Sequence, residues 1–193
     1  AGAFDFAKAG VLFVPDIGAD ASDARAHTDA LIAQLPDILD WQEGSLVLFS
    51  SKRQMELVYE QLPAEYLGQV LIQGQWGHQE IVRRHKAAID AGDGSVIFGL
   101  ASFAEGMDFP GKYCGHVVIA KIPFAVPDDP VHSTLSEWLE KKGGNAFMEL
   151  MLPDASLRLH QACGRLIRTE TDVGRITILD RRIVTKRYGK QLL

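Results

Sequence analysis

The feature that most restricts this chain is a series of short apolar runs set between helix-patterned stretches. They are Leu46-Val47-Leu48-Phe49, Val70-Leu71-Ile72, Val96-Ile97-Phe98-Gly99-Leu100, Val117-Val118-Ile119-Ala120 and Ile176-Thr177-Ile178-Leu179-Asp180. A strand apolar on both faces belongs inside a parallel sheet with helices on either side. Strands alternating with helices therefore predict an α/β domain with a mainly parallel central sheet. A length of 193 residues suits one domain with a real core. Hydrophobic content of 47% with 23% charge describes a folded chain, not a disordered one. No run of about 18 apolar residues is present, so no membrane span is expected, and no secretory signal is seen. The chain begins Ala1-Gly2-Ala3 without methionine, which suggests a piece of something longer.

Local signals place the helices. Ser22 is a candidate cap for a helix running towards Trp41, broken or bent at Pro36. Ser51 with Gln54 reads as a capping box that starts a helix from Lys52 to about Leu62. A strand ending at a serine-capped helix presents free N–H groups and a positive dipole end, which suits phosphate. An ordinary capped unit with no ligand accounts for the same residues. Gln73-Gly74 closes the next strand, and His78 to Ala91 is helical, stopped by Gly92. Trp76 beside it is either a base-stacking or a packing residue. Helical patterns follow at 132–142 and around 145–152, and Pro153 opens another helix in its first turn.

The net charge of −5 hides an asymmetry. From Leu152 onward there are nine Lys/Arg against four Asp/Glu, which leaves the preceding residues at −10. A basic C-terminal quarter on an acidic body serves phosphate groups locally. It does not describe a protein that grips DNA by charge alone. Cys114 and Cys163 are too few for a disulfide scaffold and suit a reducing cytosol. Cys114-x-His116 and His160-x-x-Cys163 could supply four zinc ligands, but both cysteines lie in apolar surroundings and read as packed thiols, so no metal site is expected.

Two stretches concentrate chemistry. In Leu157 to Arg168, at about 100° per residue, Gln161, Gly164, Arg165 and Arg168 share one helix face. Leu159, Ala162, Cys163, Leu166 and Ile167 share the other. Glycine inside a helix costs roughly 1 kcal/mol relative to alanine, so something should approach the backbone there. Two arginines one turn apart can clamp phosphate oxygens, although an amphipathic helix with a solvated basic face has the same pattern. The second stretch, Ala101 to Gly111, brings a hydroxyl, two carboxylates and two glycines to the carboxyl end of a strand, where α/β proteins hold ligands. Within it, Gly106-x-x-x-x-Gly111-Lys112 has the spacing of a Walker A loop. Tyr113 stands where Mg²⁺ coordination needs Ser or Thr, Pro110 removes an N–H, and a strand follows instead of a helix, so the match reads as chance.

Gln161-x-x-Gly164-Arg165-x-x-Arg168 resembles the sixth signature motif of superfamily 2 helicases. With Thr169-Glu170-Thr171-Asp172-Val173-Gly174 it is similar to the branch containing bacterial DinG and eukaryotic XPD, the DinG side fitting better. Ser102-Phe103-x-Glu105-Gly106-x-Asp108-x-Pro110-Gly111 resembles the DinG fifth motif, with Ala104 where the family has tryptophan. Phe4-Asp5-Phe6, Pro123-Phe124 with Pro127 and Pro130, and Arg181 to Lys190 resemble further family segments; Gly2-Ala3 replaces the usual Ser-Pro.

The resemblance implies a RecA-like (P-loop NTPase type) fold without its own Walker A. It divides the chain into an extended lead-in, 1–20, and the second, C-terminal motor domain, 21–193. It implies the C-terminal half of an ATP-dependent 5′→3′ DNA helicase, with ATP and Mg²⁺ held in a cleft completed by a first RecA-like domain of the same polypeptide. Gln161, Arg165 and Arg168 would face the phosphates, with Arg168 the arginine finger. Glu105, Gly106, Asp108 and Gly164 would lie near the nucleotide. Ser50, Ser51, Gln73, Gly74 and Ser102 would lie along single-stranded DNA. A 4Fe–4S cluster is expected in the parent enzyme but not in this chain. The implied setting is the bacterial cytoplasm, with replication or repair proteins as partners. The alternative is a stand-alone RecA-like adaptor that binds another protein without motor activity.

Overall fold

The computed structural model describes residues 10–124, 130–164 and 174–193. Six strands, β1 (Gly10–Phe13), β2 (Gly44–Phe49), β3 (Val70–Ile72), β4 (Ser95–Leu100), β5 (His116–Ile119) and β6 (Gly174–Ile178), form one sheet in the order β1-β6-β5-β2-β4-β3. Every pairing is parallel. Four of the five apolar runs are its inner strands, Val70–Ile72 is the edge strand β3, and β2 and β5 are buried along their whole length. Gly10–Phe13, inside the stretch read as an extended lead-in, is an edge strand in register with β6.

The helices sort onto two faces. Helices α1 (Ala24–Ile38) and α2 (Lys52–Glu60) cover one, where Leu31, Leu35, Met55 and Val58 pack on Val47, Phe49, Phe98 and Val118. A single turn, α3 (Ala64–Leu67), leads into β3. The other face carries α4 (His78–Asp90), the turn α5 (Ala101–Ala104) and α7 (Leu152–Gly164), with Ile81, Ala104, Leu159, Ala162 and Cys163 on Leu46, Leu48, Ile97 and Val117. Helices α6 (Pro130–Lys141) and α8 (Arg182–Thr185) and two 3₁₀ segments, Gly111–Tyr113 and Arg187–Gln191, are also described.

Several local expectations are corrected. The cap of α1 is Asp23, whose carboxylate accepts from Ala26 N, while Ser22 Oγ donates to Asp20. A carboxylate is the stronger acceptor at a helix N-terminus. Pro36 sits inside α1 without breaking it, because the helix ends two residues later and little of its hydrogen-bond ladder remains to lose. The stretch 147–151 is π-helical and runs directly into α7; Leu152 N reaches back to Phe147 O, one residue beyond the α-helical partner, just before Pro153, which has no N–H to give. Ser51 Oγ accepts from Gln54 N, but the Gln54 side chain turns to His27 and Thr28 instead of closing the box.

Three histidines are internal struts. The His27 ring donates from Nε2 to Leu179 O (2.9 Å), and its Nδ1 accepts from Gln54 Nε2 (3.0 Å). His85 bridges Tyr113 O (2.6 Å) and Ser95 Oγ (2.8 Å), and His116 Nε2 meets Thr177 Oγ1 (2.7 Å). All three are at most 3% exposed, and burial lowers their pKa values, for His116 to about 4. A base whose folded pKa is depressed stabilises the fold fully above its unfolded pKa, near 6.5, and loses that stability as pH falls towards the folded value. We expect the unfolding free energy read from urea titrations to fall between pH 6.5 and 4, by up to about 1.4 kcal/mol per pH unit for His116, with His27 and His85 acting in the same direction. A value that stays level from pH 7 to pH 5 contradicts this.

Candidate functional site

In a parallel sheet all strands leave at the same edge, and here that edge collects the polar residues. β2 ends at Ser50 and Ser51, β3 at Gln73 and Gly74, β4 at Ala101 and Ser102, β5 at Lys121 and β6 at Asp180. Between β2 and β5 the chain changes direction. It leaves β2 for α2 on one face, while α7, which follows β5 in the chain, packs on the other. That divergence opens a crevice at the carboxyl edge, the usual ligand position in open α/β sheets.

Each side of this edge is specified locally. Ser51 starts α2 with extended backbone and caps Gln54 N. Gln73 is held firmly: its N–H donates to Phe98 O and its Oε1 accepts from Leu100 N (2.8 Å), which ties β3 to β4. Gly74 takes φ +98°, a turn that only glycine makes without strain. The segment after β4 begins with the helical turn α5, then alternates. Ala104, Met107 and Phe109 are buried anchors, while Ser102, Glu105, Gly106 and Asp108 are exposed. Gly106 lies against His78, the first residue of α4; a Cβ on it would be 3.1 Å from His78 Nε2. The same imidazole packs edge-on to Phe103.

Helix α7 follows the sequence pattern. Leu159, Ala162 and Cys163 are buried, Gln161 is exposed and Gly164 half-buried. Leu159 and Ala162 pack at the ends of β2 and β5, beside Ala101 and Lys121, so Gln161 stands on the same sheet face as the Glu105–Asp108 segment. Arg165 and Arg168 lie outside the described residues.

The sequence reading missed Asp180 and Arg182. Asp180 is fully buried, accepts from Ile122 N (3.0 Å) and receives the Arg182 guanidinium at 2.6 Å, locking the exits of β5 and β6 together. An acidic residue ending an apolar strand was the only signal. Trp76 packs against the core with Arg84 over its ring at 4.0 Å. Lys112, the lysine of the false Walker spacing, is at the opposite edge, paired with Asp90 at 2.7 Å. Cys114 and Cys163 are buried thiols with pKa values pushed up to about 12 by burial, and no group of three or more potential metal ligands occurs among the described residues.

Residues 35–193 match the helicase C-terminal domain family. The chain belongs to that family, on its DinG/XPD-like superfamily 2 branch. It is 42% identical over 193 residues to the ATP-dependent DNA helicase DinG of Photobacterium profundum, covering 98% of this chain and 28% of that protein. The DinG of Escherichia coli K12 is 41% identical over 150 residues, covering 78% of this chain and 21% of that protein. The chain thus spans about a quarter of its relatives' length. In fold it is similar to an XPD helicase structure (TM-score 0.65, 22% identity, 95% of this chain and 32% of that one). It is also similar to the C-terminal domain of the DEAD-box protein Dbp5 (TM-score 0.53, 17% identity, 96% and 82%). The parallel sheet and these neighbours make it a RecA-like α/β domain.

Gly99, in β4, tests how tightly the edge is built. A Cβ there would meet Phe103 Cδ1 at 2.8 Å, and Phe103 in turn supports His78. Gly99→Ala should cost about 1–3 kcal/mol through overpacking, read as a lower urea midpoint. An unchanged midpoint would show that Phe103 swings aside freely.

Proposed function

We propose that this chain is the second motor domain of an ATP-dependent 5′→3′ DNA helicase of the DinG type. What carries the reading is Gln161, exposed on the outer face of a helix that buries Leu159, Ala162 and Cys163, within a chain of the helicase C-terminal family. Its amide offers both a donor and an acceptor. Arg165 and Arg168 would continue that face with permanent positive charge and planar donor forks, suited to phosphate oxygens. Glu105 and Asp108, exposed between buried anchors, would lie near the nucleotide, with Gly106 and Gly164 allowing close approach. The residues present fit the ATP phosphates, while Mg²⁺ ligands and a working phosphate loop would come from the first domain of the same polypeptide.

Ser50, Ser51, Gln73, Gly74 and Ser102 would follow single-stranded DNA along the carboxyl edge. The two buried thiols do not fit a 4Fe–4S cluster, which would sit elsewhere in the parent enzyme. No described helix is long and apolar enough to cross a membrane; the cytoplasm of a bacterium, with replication or repair proteins, is the proposed setting.

Phosphoryl transfer depends on positioning and charge stabilisation. The 193-residue chain alone should therefore not turn over ATP. A DNA-stimulated rate well above a no-protein blank would contradict that. In the full-length parent, Arg168→Ala should lower ATPase by roughly 10³–10⁵, the range for arginine fingers, and Arg168→Lys should fail as well. ATP binding and the melting temperature should change little. Lost stability with a modest rate effect would instead make Arg168 a structural ion-pair partner.

A further inference from the structure

The polar loops that follow β3 and β4 touch through one side chain that lies outside both Gln73-Gly74 and residues 102–111. His78 opens α4, just after the Gln73-Gly74 exit of β3, and its imidazole packs edge-on to Phe103 at 4.9 Å. The same ring lies against Gly106, where a Cβ would stand 3.1 Å from Nε2 and 3.4 Å from Cε1. Both loops are pinned around this contact. Gln73 Oε1 accepts from Leu100 N at 2.8 Å, and Gln75 N donates to Ile72 O. On the other side Ala104, Met107 and Phe109 are buried anchors. Close-packed groups transmit displacement instead of absorbing it. A shift of the β3 exit therefore reaches residues 105–108 through the imidazole.

A second observation is the state of the ring nitrogen. His78 Nε2 is closed off from solvent and has no hydrogen-bond partner among the described residues. His27 and His85, by contrast, have both ring nitrogens bonded. A buried nitrogen left unmet is costly, so such atoms are rare and mark a position that another state of the protein completes. Gly106 lies directly beside Nε2, so a small shift of its segment brings a peptide group into reach. A purely structural histidine accounts for the packing on Phe103 but not for the unbonded nitrogen.

We propose that His78 is a positioning residue for ATP turnover, which couples the strand exit at Gln73-Gly74 to the nucleotide side at Glu105–Asp108. With both ligands in place, Nε2 hydrogen-bonds the peptide backbone at Gly106 and so fixes the neighbouring carboxylates. The imidazole touches neither ligand; it acts through the segment it holds. The inference rests on the reading of this domain as half of a DNA-dependent ATPase, with DNA at the first of these loops and nucleotide at the second.

The test uses the full-length parent helicase with Mg²⁺, a non-hydrolysable ATP analogue and a short oligo-dT. The quantity read is the factor by which oligo-dT changes the affinity for the analogue, which linkage makes equal to the reverse factor. Wild type should show about fivefold or more, the usual range for coupled sites. His78→Phe keeps a ring against Phe103 but removes Nε2; it should bring the factor close to unity and lower DNA-stimulated kcat, with the melting temperature unchanged. His78→Gln returns a polar atom near the position of Nε2 and should keep most of the coupling. A wild-type factor in His78→Phe overturns the proposal. A loss that comes with a lower melting temperature, or an equal loss in His78→Gln, makes His78 structural and overturns it too. If wild type binds both ligands without coupling, the role of His78 fails while the reading of the domain stands. If wild type binds neither, that reading fails as well.

Discussion

The architecture depends on one constraint: parallel strands cannot be joined by hairpins. Each crossover must return the chain to the starting edge over one face of the sheet. Both faces are therefore covered, the strands are apolar on both sides, and every strand exits at one edge. Here that geometry brings Ser51, Gln73, Ser102, Lys121 and Asp180, up to 129 residues apart in the chain, to a common border. The buried histidines and the Asp180–Arg182 pair then fix how the exits lie against one another. His27 joins α1, α2 and the end of β6, and Asp180 joins the ends of β5 and β6.

The reversal between β2 and β5 divides the border into two sides. On one face stand α7 with Gln161 and the segment carrying Glu105 and Asp108, the chemistry expected of a nucleotide cleft. On the other stands an open groove between α1 and α2, lined by Arg25, Arg53 and Lys121 among others. Lys121 follows β5 at the boundary and reaches both.

Much of this was legible without coordinates, because local physics governed it. Uncharged runs such as Leu46 to Phe49 can only be buried, Ser51 before Lys52 caps a helix whatever surrounds it, and the spacing of Leu159, Ala162 and Cys163 set the packed face of α7. The false Walker spacing was rejected for reasons of residue chemistry, and Lys112 at the far edge has a different partner. The nucleotide and DNA roles proposed for Gln161, Arg165, Arg168 and the edge residues came from family resemblance, not from spacing.

What the tertiary structure alone decided is where separate segments meet. Strand order follows from how the crossovers pack, and nothing in a strand's own sequence names its neighbour. Gln54 carries a capping-box pattern, yet its side chain serves His27, because a buried imidazole nitrogen needs a partner more than an exposed helix N-terminus does. Ser22 yields the cap to Asp23, and Gly10–Phe13 becomes a strand only because β6 offers it a ladder. By itself the sequence determined the five apolar strands, the buried face of α7 and the family. Long-range hydrogen bonding and packing, which local patterns do not encode, decided the switch point and the meeting of His78 with Gly106.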